Sequence, residues 1–331
     1  MNIIASNMQQ TYHIAYACNQ PYAQYVAVSL KSLCDSQPYK SKVLWEIHIL
    51  TDGISKQSQK QLEEICSQRS DFRLVVHIIK GEELEGLPTE RFTQIAYFRF
   101  FIPYVMPEAE RVFYIDTDCL ILDDLSPLFS LPLEKTIGAI ANPVDKGNKA
   151  RIGLAPEDYY FFSAPILINS ARWRLKDYTP LLIKWCREYK EKLRFPDLEA
   201  LNVLLQDEMM PLPMRYNVVP HFLDKQIFNI SALHSDIHDC LFRPAIVHYA
   251  SCAPWFRDEV QHPYAPFWHA TNRSLKHPAK VTYRCKGWIR LKSRIKHWLF
   301  PDSRPKVISL QTLQEEFQQI RNCLQEESKH K

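Results

Sequence analysis

Long apolar runs are missing from this 331-residue chain, and no segment approaches the roughly 20 residues needed to span a bilayer. The N-terminus also lacks the basic-then-apolar layout of a secretory signal. The expectation is a protein made and kept inside the cell. Its seven glycines never assemble into a phosphate-binding loop. No G-x-G-x-x-G follows the first expected strand and no G-x-x-x-x-G-K-[ST] occurs, which disfavours a dinucleotide or P-loop enzyme. The nine cysteines contain no C-x-x-C pair and are odd in number, so they indicate neither a zinc site nor a disulfide framework. Reduced thiols in a cytosol are the simplest account.

What remains has the composition of an ordinary globular protein, 24% charged and 46% hydrophobic. The net charge of +4 hides an asymmetry. Ten lysines or arginines stand between Lys276 and Lys306 against the single acid Asp302, a local +9 that leaves −5 elsewhere.

Residues 1–11 read as a polar, flexible lead-in. Tyr12–Ala17 is a first strand, broken at Cys18-Asn19-Gln20-Pro21, and a helix follows from Tyr22. Trp45–Leu50 is a second strand, Asp52-Gly53 a turn, and Ser55 the N-cap of a helix carrying Leu62, Ile65 and Cys66. Phe72–Ile79 is a third strand. This β-α-β-α-β order predicts an α/β fold with a doubly wound, mainly parallel sheet.

The most informative stretch is Arg111–Leu122, in which a β-branched and aromatic run ends in Asp116 and Asp118 before a second apolar run. A buried strand delivering two carboxylates at its carboxyl end suits a divalent cation. The bland alternative is a pair of acids closing a turn. Upstream, Thr93–Ile102 reads as a largely apolar helix bearing Arg99, either a snorkelling surface arginine or a cation held near the acidic site. Asp123-Asp124 precedes Ser126-Pro127, read as an N-cap and first helical residue, and belongs to a polar turn rather than a second metal pair. His248, ending Ala245-Ile246-Val247, is either a core histidine or a ligand. Glu199 is either a site carboxylate or a helix N-terminal acid.

Several segments together resemble the retaining glycosyltransferases of family 8, especially bacterial lipooligosaccharide galactosyltransferases and lipopolysaccharide glucosyltransferases. They are Ala15–Asn19, Tyr97-Phe98-Arg99, Phe113–Asp118, Leu167-Ile168-Asn169 with Trp173, Asp197–Asn202, and His248-Tyr249 with Pro254-Trp255. The match runs over roughly residues 12–260, which the reading takes as one glycosyltransferase domain of the GT-A type, Rossmann-like, with 261–331 a basic extension. The resemblance implies that Asp116, Asp118 and His248 hold Mn2+ or Mg2+. It also implies that Ala17 and Asn19 face the uracil and ribose of a UDP-hexose, that Tyr22 stacks on the base, and that Arg99 and Asp197 serve the donor sugar as catalytic residues. Thr117, Ser163, Ala164, Leu198, Ser251 and Ala253 fall at donor-binding positions.

The departures from the family pattern concern the same residues. Asn19 stands where an acid is usual, Ser163-Ala164-Pro165 where Asn-Ala-Gly is usual, Leu198 for a glutamine, Asn142 for an aspartate, and Ala253 for the lysine before Pro254-Trp255. A missing lysine removes a cationic contact to the diphosphate, with Arg257 the nearby candidate to replace it. Leucine at 198 offers neither a nucleophile nor a polar stabiliser, which favours same-face attack and leaves Asp197 as the nearby carboxylate to test.

Beyond Asp258, His262–Trp268 reads as an aromatic, proline-broken connector. Trp288, Ile289, Leu291, Ile295, Trp298 and Leu299 then fall at helical spacing among Lys292, Arg294 and Lys296. Such a basic amphipathic helix suits an anionic membrane surface, the alternative being a helix docked on the domain. Nucleic acid is not expected as a partner. Gln311–Glu326 is a final helix. The expected function is retaining transfer of galactose or glucose from a UDP-sugar to a lipid-linked oligosaccharide at the inner face of the cell membrane. The alternatives are an impaired relative that binds UDP-sugar or glycan as a scaffold, and a transferase acting on protein.

Overall fold

The computed structural model describes residues 10–40, 42–89, 93–144, 147–257, 262–284 and 309–329. The expected basic amphipathic helix, residues 288–299, lies outside these, as do residues 1–9 of the polar lead-in. The chain divides into two compact units. The first comprises residues 1–26, 34–117 and 124–213; the second comprises 27–33, 118–123 and 214–331.

The first unit is built on a seven-stranded sheet in the order β3-β2-β1-β4-β7-β6-β8. Its strands are β1 Gln10–Ala17, β2 Val43–Thr51, β3 Phe72–Ile78, β4 Arg111–Tyr114, β6 Ile137–Ala141, β7 Phe161–Asn169 and β8 Met209–Pro211. β1 pairs parallel with β2 and β4, and β2 with β3. β7 runs antiparallel to β4 and β6, so the sheet is mixed but mainly parallel, as the β-α-β-α-β order predicts. Strands covered on both faces read as near-continuous apolar runs. Accordingly β4 is buried along Val112, Phe113 and Tyr114, and β7 along Ile166, Leu167 and Ile168.

Between β2 and β3 the helix Lys56–Cys66 starts where its cap dictates. Ser55 is extended, its hydroxyl accepts from the Ser58 N–H at 3.1 Å, and Leu62, Ile65 and Cys66 turn into the core. The segment around Arg99 differs from the expected α-helix. It is a 3-10 helix, Gln94–Phe101, followed by one α-turn, Ile102–Val105, with Pro103 in its first turn. Burial of Tyr97, Phe98, Arg99 and Phe100 on successive positions requires more than one helical face to be covered. Ser126 also differs from expectation. The helix Ser126–Phe129 is entered through Leu125, and Asp124 caps the turn by accepting from the Ser126 N–H at 2.8 Å and the Ser126 hydroxyl at 2.7 Å. Asp124 is thereby committed to a turn, and Lys40 pairs with it at 3.2 Å.

The second unit carries a two-stranded antiparallel sheet of β5 Cys119–Ile121 and β9 Ile246–His248, in which Cys119 stands opposite His248. Asp123 forms an ion pair with Arg215 in this unit. The expected connector at His262–Trp268 is in large part a helix, Ala265–Ser274. Pro266 sits in its first turn, where the missing N–H costs nothing, and Trp268 faces inward. The final helix spans Leu310–Lys329 and buries Leu313 and Phe317, the latter edge-on to Phe228 at 5.4 Å.

Candidate active site

In the first unit, β1 and β4 end side by side, and the Ile115 N–H donates to the Ala15 carbonyl at 2.9 Å. Asp116 follows at once. Tyr114, two residues back and fully buried, donates its hydroxyl to Asp116 Oδ1 at 2.8 Å. Arg99 is the hub of this end of the sheet. Its Nη2 donates to Asp116 Oδ1 at 3.1 Å and its Nη1 pairs with Asp197 Oδ2 at 3.2 Å. Nη1 also donates to the Ser163 carbonyl at 2.8 Å and Nε to the Ala96 carbonyl at 2.9 Å. The guanidinium lies over the Tyr114 ring, 4.6 Å from its centroid. With 5% exposure, Arg99 is not a snorkelling surface residue.

One buried cation thus holds two carboxylates, a net −1 for the cluster. Burial pushes the Asp197 carboxyl up from its ordinary value, Arg99 opposes that shift, and the neighbouring Asp116 charge adds to it. Burial likewise raises the Tyr114 phenol well above its usual range. Asp197 stands in the first turn of the helix Pro196–Leu204. On that helix Glu199 takes the helix-terminal role: fully buried, it accepts from the Arg194 and Phe195 N–H groups at 3.1 Å each and pairs with Arg151. Asn202 ties the helix to β7 by exchanging bonds of 2.8 Å with the N–H and carbonyl of Phe161.

Of the other expected donor residues in this unit, Ala17 is buried at the end of β1. The Asn19 carbonyl accepts the Tyr22 and Ala23 N–H groups at 3.1 Å as the helix Ala23–Ser36 begins. Tyr22 is 42% exposed. Thr117 and Leu198 are half-buried, Ser163 and Ala164 buried. Asn142 accepts from the Val144 N–H at 3.1 Å in a turn.

The chain passes into the second unit between Thr117 and Asp118. There Asp118 and His248 meet. His248 Nε2 stands 3.2 Å from Asp118 Oδ1, and Nδ1 is 2.8 Å from Asn217 Oδ1. The carbonyl oxygen of Asn217 can only accept, so it fixes the proton on Nδ1 and leaves the Nε2 lone pair facing the carboxylate. The backbone holds the pair in place: the Tyr249 N–H donates to the Asp118 carbonyl at 2.9 Å and the His248 N–H to the Val218 carbonyl at 3.0 Å. Cys119 closes the group, its sulfur within 4.8 Å of the Asp118 and His248 ligand atoms. Ser251 is exposed in the left-handed region at φ 64°, and Ala253 is half-buried.

Tyr114 was not expected beside Asp116, nor Cys119 and Asn217 beside His248. Tyr114 had a signal, because strand alternation puts it on the same side as Asp116. Asn217 had none, since only the pairing of Val218 with β9 brings it to His248.

A mainly parallel α/β sheet with a carboxylate just past the end of β4, held by a buried arginine, defines a class of enzyme that binds its ligand at the strand ends. Within that class the chain belongs to glycosyl transferase family 8, whose description matches residues 13–259. It is 24% identical to general stress protein A of Bacillus subtilis over 76% of this chain and 90% of that protein. It is 28% identical to the lipopolysaccharide glucosyltransferase WaaO of Escherichia coli over 62% of each. Among solved structures it is similar to the galactosyltransferase LgtC in complex with donor and acceptor sugar analogues. That likeness has a TM-score of 0.69 and 25% identity, over 80% of this chain and 96% of that one. The fold is of the GT-A type.

Proposed function

We propose that the chain transfers galactose or glucose from a UDP-sugar to a lipooligosaccharide or lipopolysaccharide acceptor, with retention of configuration. The divalent cation, Mn2+ or Mg2+, is assigned to Asp118 and His248, with Asp116 added on the strength of the Asp-x-Asp spacing alone. The observation that carries this reading is the His248–Asp118 pair, two ligand atoms 3.2 Å apart with the other imidazole nitrogen committed to Asn217. A metal-bound histidine has this arrangement, its far N–H given to an oriented acceptor. When bound, the cation supplies positive charge to the diphosphate of the leaving nucleotide.

The chain's own residues supply orientation. Arg99 pairs with both Asp116 and Asp197, opposes the burial that raises the Asp197 carboxyl, and orients Asp197 toward sugar hydroxyls. The Asn19 side-chain oxygen is buried with no hydrogen-bond partner among the described residues, which suits a donor group on the nucleoside. Support for the acceptor class comes from what the relatives' names say of those proteins. Association with the inner membrane surface is proposed through the basic segment 276–306; among the described residues no helix is long and apolar enough to cross a membrane.

The test is UDP release and product formation from a panel of UDP-hexoses with Mn2+, in the native chain and in Ala253→Lys. Turnover in either form is the expected result. UDP binding with metal but no turnover in both, even by hydrolysis, would favour the scaffold reading that Ala253, Leu198 and Pro165 motivate.

A further inference from the structure

Strand β2, second from one edge of the seven-stranded sheet, contains a polar interruption. In Val43–Thr51, otherwise dominated by apolar residues, Glu46 and His48 are buried. Strand alternation puts both on one face. The register aligns His13 of β1 and Arg73 of β3 with Glu46, and His77 of β3 with Leu50, so all five polar residues share that face. Three of their atoms converge: His13 Nδ1 is 3.0 Å from His48 Nε2 and 3.6 Å from Glu46 Oε1, and His48 Nε2 is 3.4 Å from the same oxygen.

We propose that His13, Glu46 and His48 form a binding site for a divalent cation of the zinc class, with three protein ligands and a fourth position for water. This is independent of the glycosyl-transfer reading and uses none of its residues.

The triangle itself is the first argument. Tetrahedral bonds of about 2.0–2.1 Å set ligand atoms roughly 3.3 Å apart, and the three edges bracket that length. A hydrogen bond between the two imidazoles accounts for one edge and leaves the carboxylate oxygen facing two nitrogens, only one of which can carry the shared proton.

The outer partners are the second argument. His48 Nδ1 meets His77 Nε2 at 2.9 Å, and Arg73 pairs with Glu46 Oε2, leaving Oε1 to the histidines. Ligating imidazoles and carboxylates are oriented by such second contacts on their far atoms. His77 is thereby an orienting residue rather than a fourth ligand.

Ligand chemistry selects the ion. Two imidazoles and one carboxylate suit zinc and its neighbours, whereas magnesium and calcium take oxygen. The His13 side chain, at 16% exposure, leaves the group a path to solvent that His48, at 4%, does not. An ion here would tie β1 to β2, the third and second strands of the sheet, and stabilise the fold by mass action.

The experiment uses the full chain after chelator treatment, titrated with Zn2+ against a chromophoric chelator and with Co2+ by visible absorption. One equivalent of Zn2+ that persists in His248→Gln is expected, with a raised thermal midpoint and tetrahedral Co2+ bands lacking thiolate charge transfer. His77→Gln should weaken Zn2+ binding by about 10–100-fold, and His13→Gln and Glu46→Gln by more. The proposal is overturned if the parent binds no Zn2+ beyond what His248→Gln abolishes, if thiolate bands appear in His248→Gln, or if His13→Gln and Glu46→Gln titrate like the parent. A parent with no Zn2+-dependent rise in midpoint also overturns it. These parent measurements decide the matter even where a variant fails to fold, and a metal-free result leaves a hydrogen-bonded imidazole relay in its place.

Discussion

Arg99 satisfies four acceptors with one guanidinium, and a planar fork is the only side chain that can do so. Arg99→Met should therefore leave two carboxylates facing each other in a buried setting. Breaking a buried pair costs about 3–5 kcal/mol. The loss should be larger at pH 8 than at pH 5, because burial already raises Asp197 and a carboxyl without its cation takes up a proton more readily. Urea midpoints at the two pH values check this; an equal loss at both would mean that Arg99 acts through packing alone. At this scale the sequence was informative where chemistry is local. The carboxylates Asp116 and Asp118 stood out by their placement between apolar runs, whereas Asn217 was silent because its role depends on a partner 31 residues away. For Arg99 the residues left two readings open, and burial chose between them.

The helix Pro196–Leu204 places Asp197, and its entry is secured by Glu199. That side chain accepts two backbone N–H groups ahead of the helix and pairs with Arg151, whose side chain is 18% exposed. Glu199→Gln retains an acceptor but loses the charge. It should lower stability by about 1.5–3 kcal/mol, the range for a hydrogen bond to a charged group. Glu199→Ala should cost more, since it also orphans the backbone donors. If hydrogen exchange at Asp197–Leu201 were unchanged in Glu199→Ala, the helix would not depend on this anchor. Strands and capped helices were legible because their periodicity and caps are written in consecutive residues, as at Ser55. The 3-10 form of Gln94–Phe101 and the helix Ala265–Ser274 were not. Aromatic residues on successive positions carry no single period, and Pro266 punctuates a chain in the same way whether it ends an element or starts one.

For the whole molecule, buried neutral histidines link stability to pH. Burial lowers the pKa of His262 from 6.5 to about 3. The unfolded chain then binds more protons than the folded one between those values. Stability is complete above 6.5 and falls as pH drops through the window, by up to about 1.4 kcal/mol per pH unit for one site. Other histidines with lowered values add to the slope. His262→Leu should flatten the slope between pH 6 and about 4 by at most one proton's worth, measured by denaturant midpoints at several pH values. An unchanged slope would assign the acid sensitivity elsewhere.

Charge distribution carries the remaining prediction. The local +9 between Lys276 and Lys306 stands against −5 for the rest of the chain, so attraction to an anionic surface must act through that segment. Each basic residue near such a surface contributes about 1 kcal/mol within a Debye length. Replacing Lys286, Arg290, Lys292, Arg294 and Lys296 together with glutamine should remove about 5 kcal/mol, enough to abolish co-sedimentation with phosphatidylserine vesicles. Substitution is a cleaner test than deleting residues 276–331, because deletion would also strip Leu313 and Phe317 from the core of the second unit. Added salt should have the same effect on the native chain. Binding that survives both the substitutions and high salt would be apolar, carried by the tryptophans at 288 and 298 rather than by charge. Binding absent from the native chain at low salt would mean that the basic segment serves some other partner.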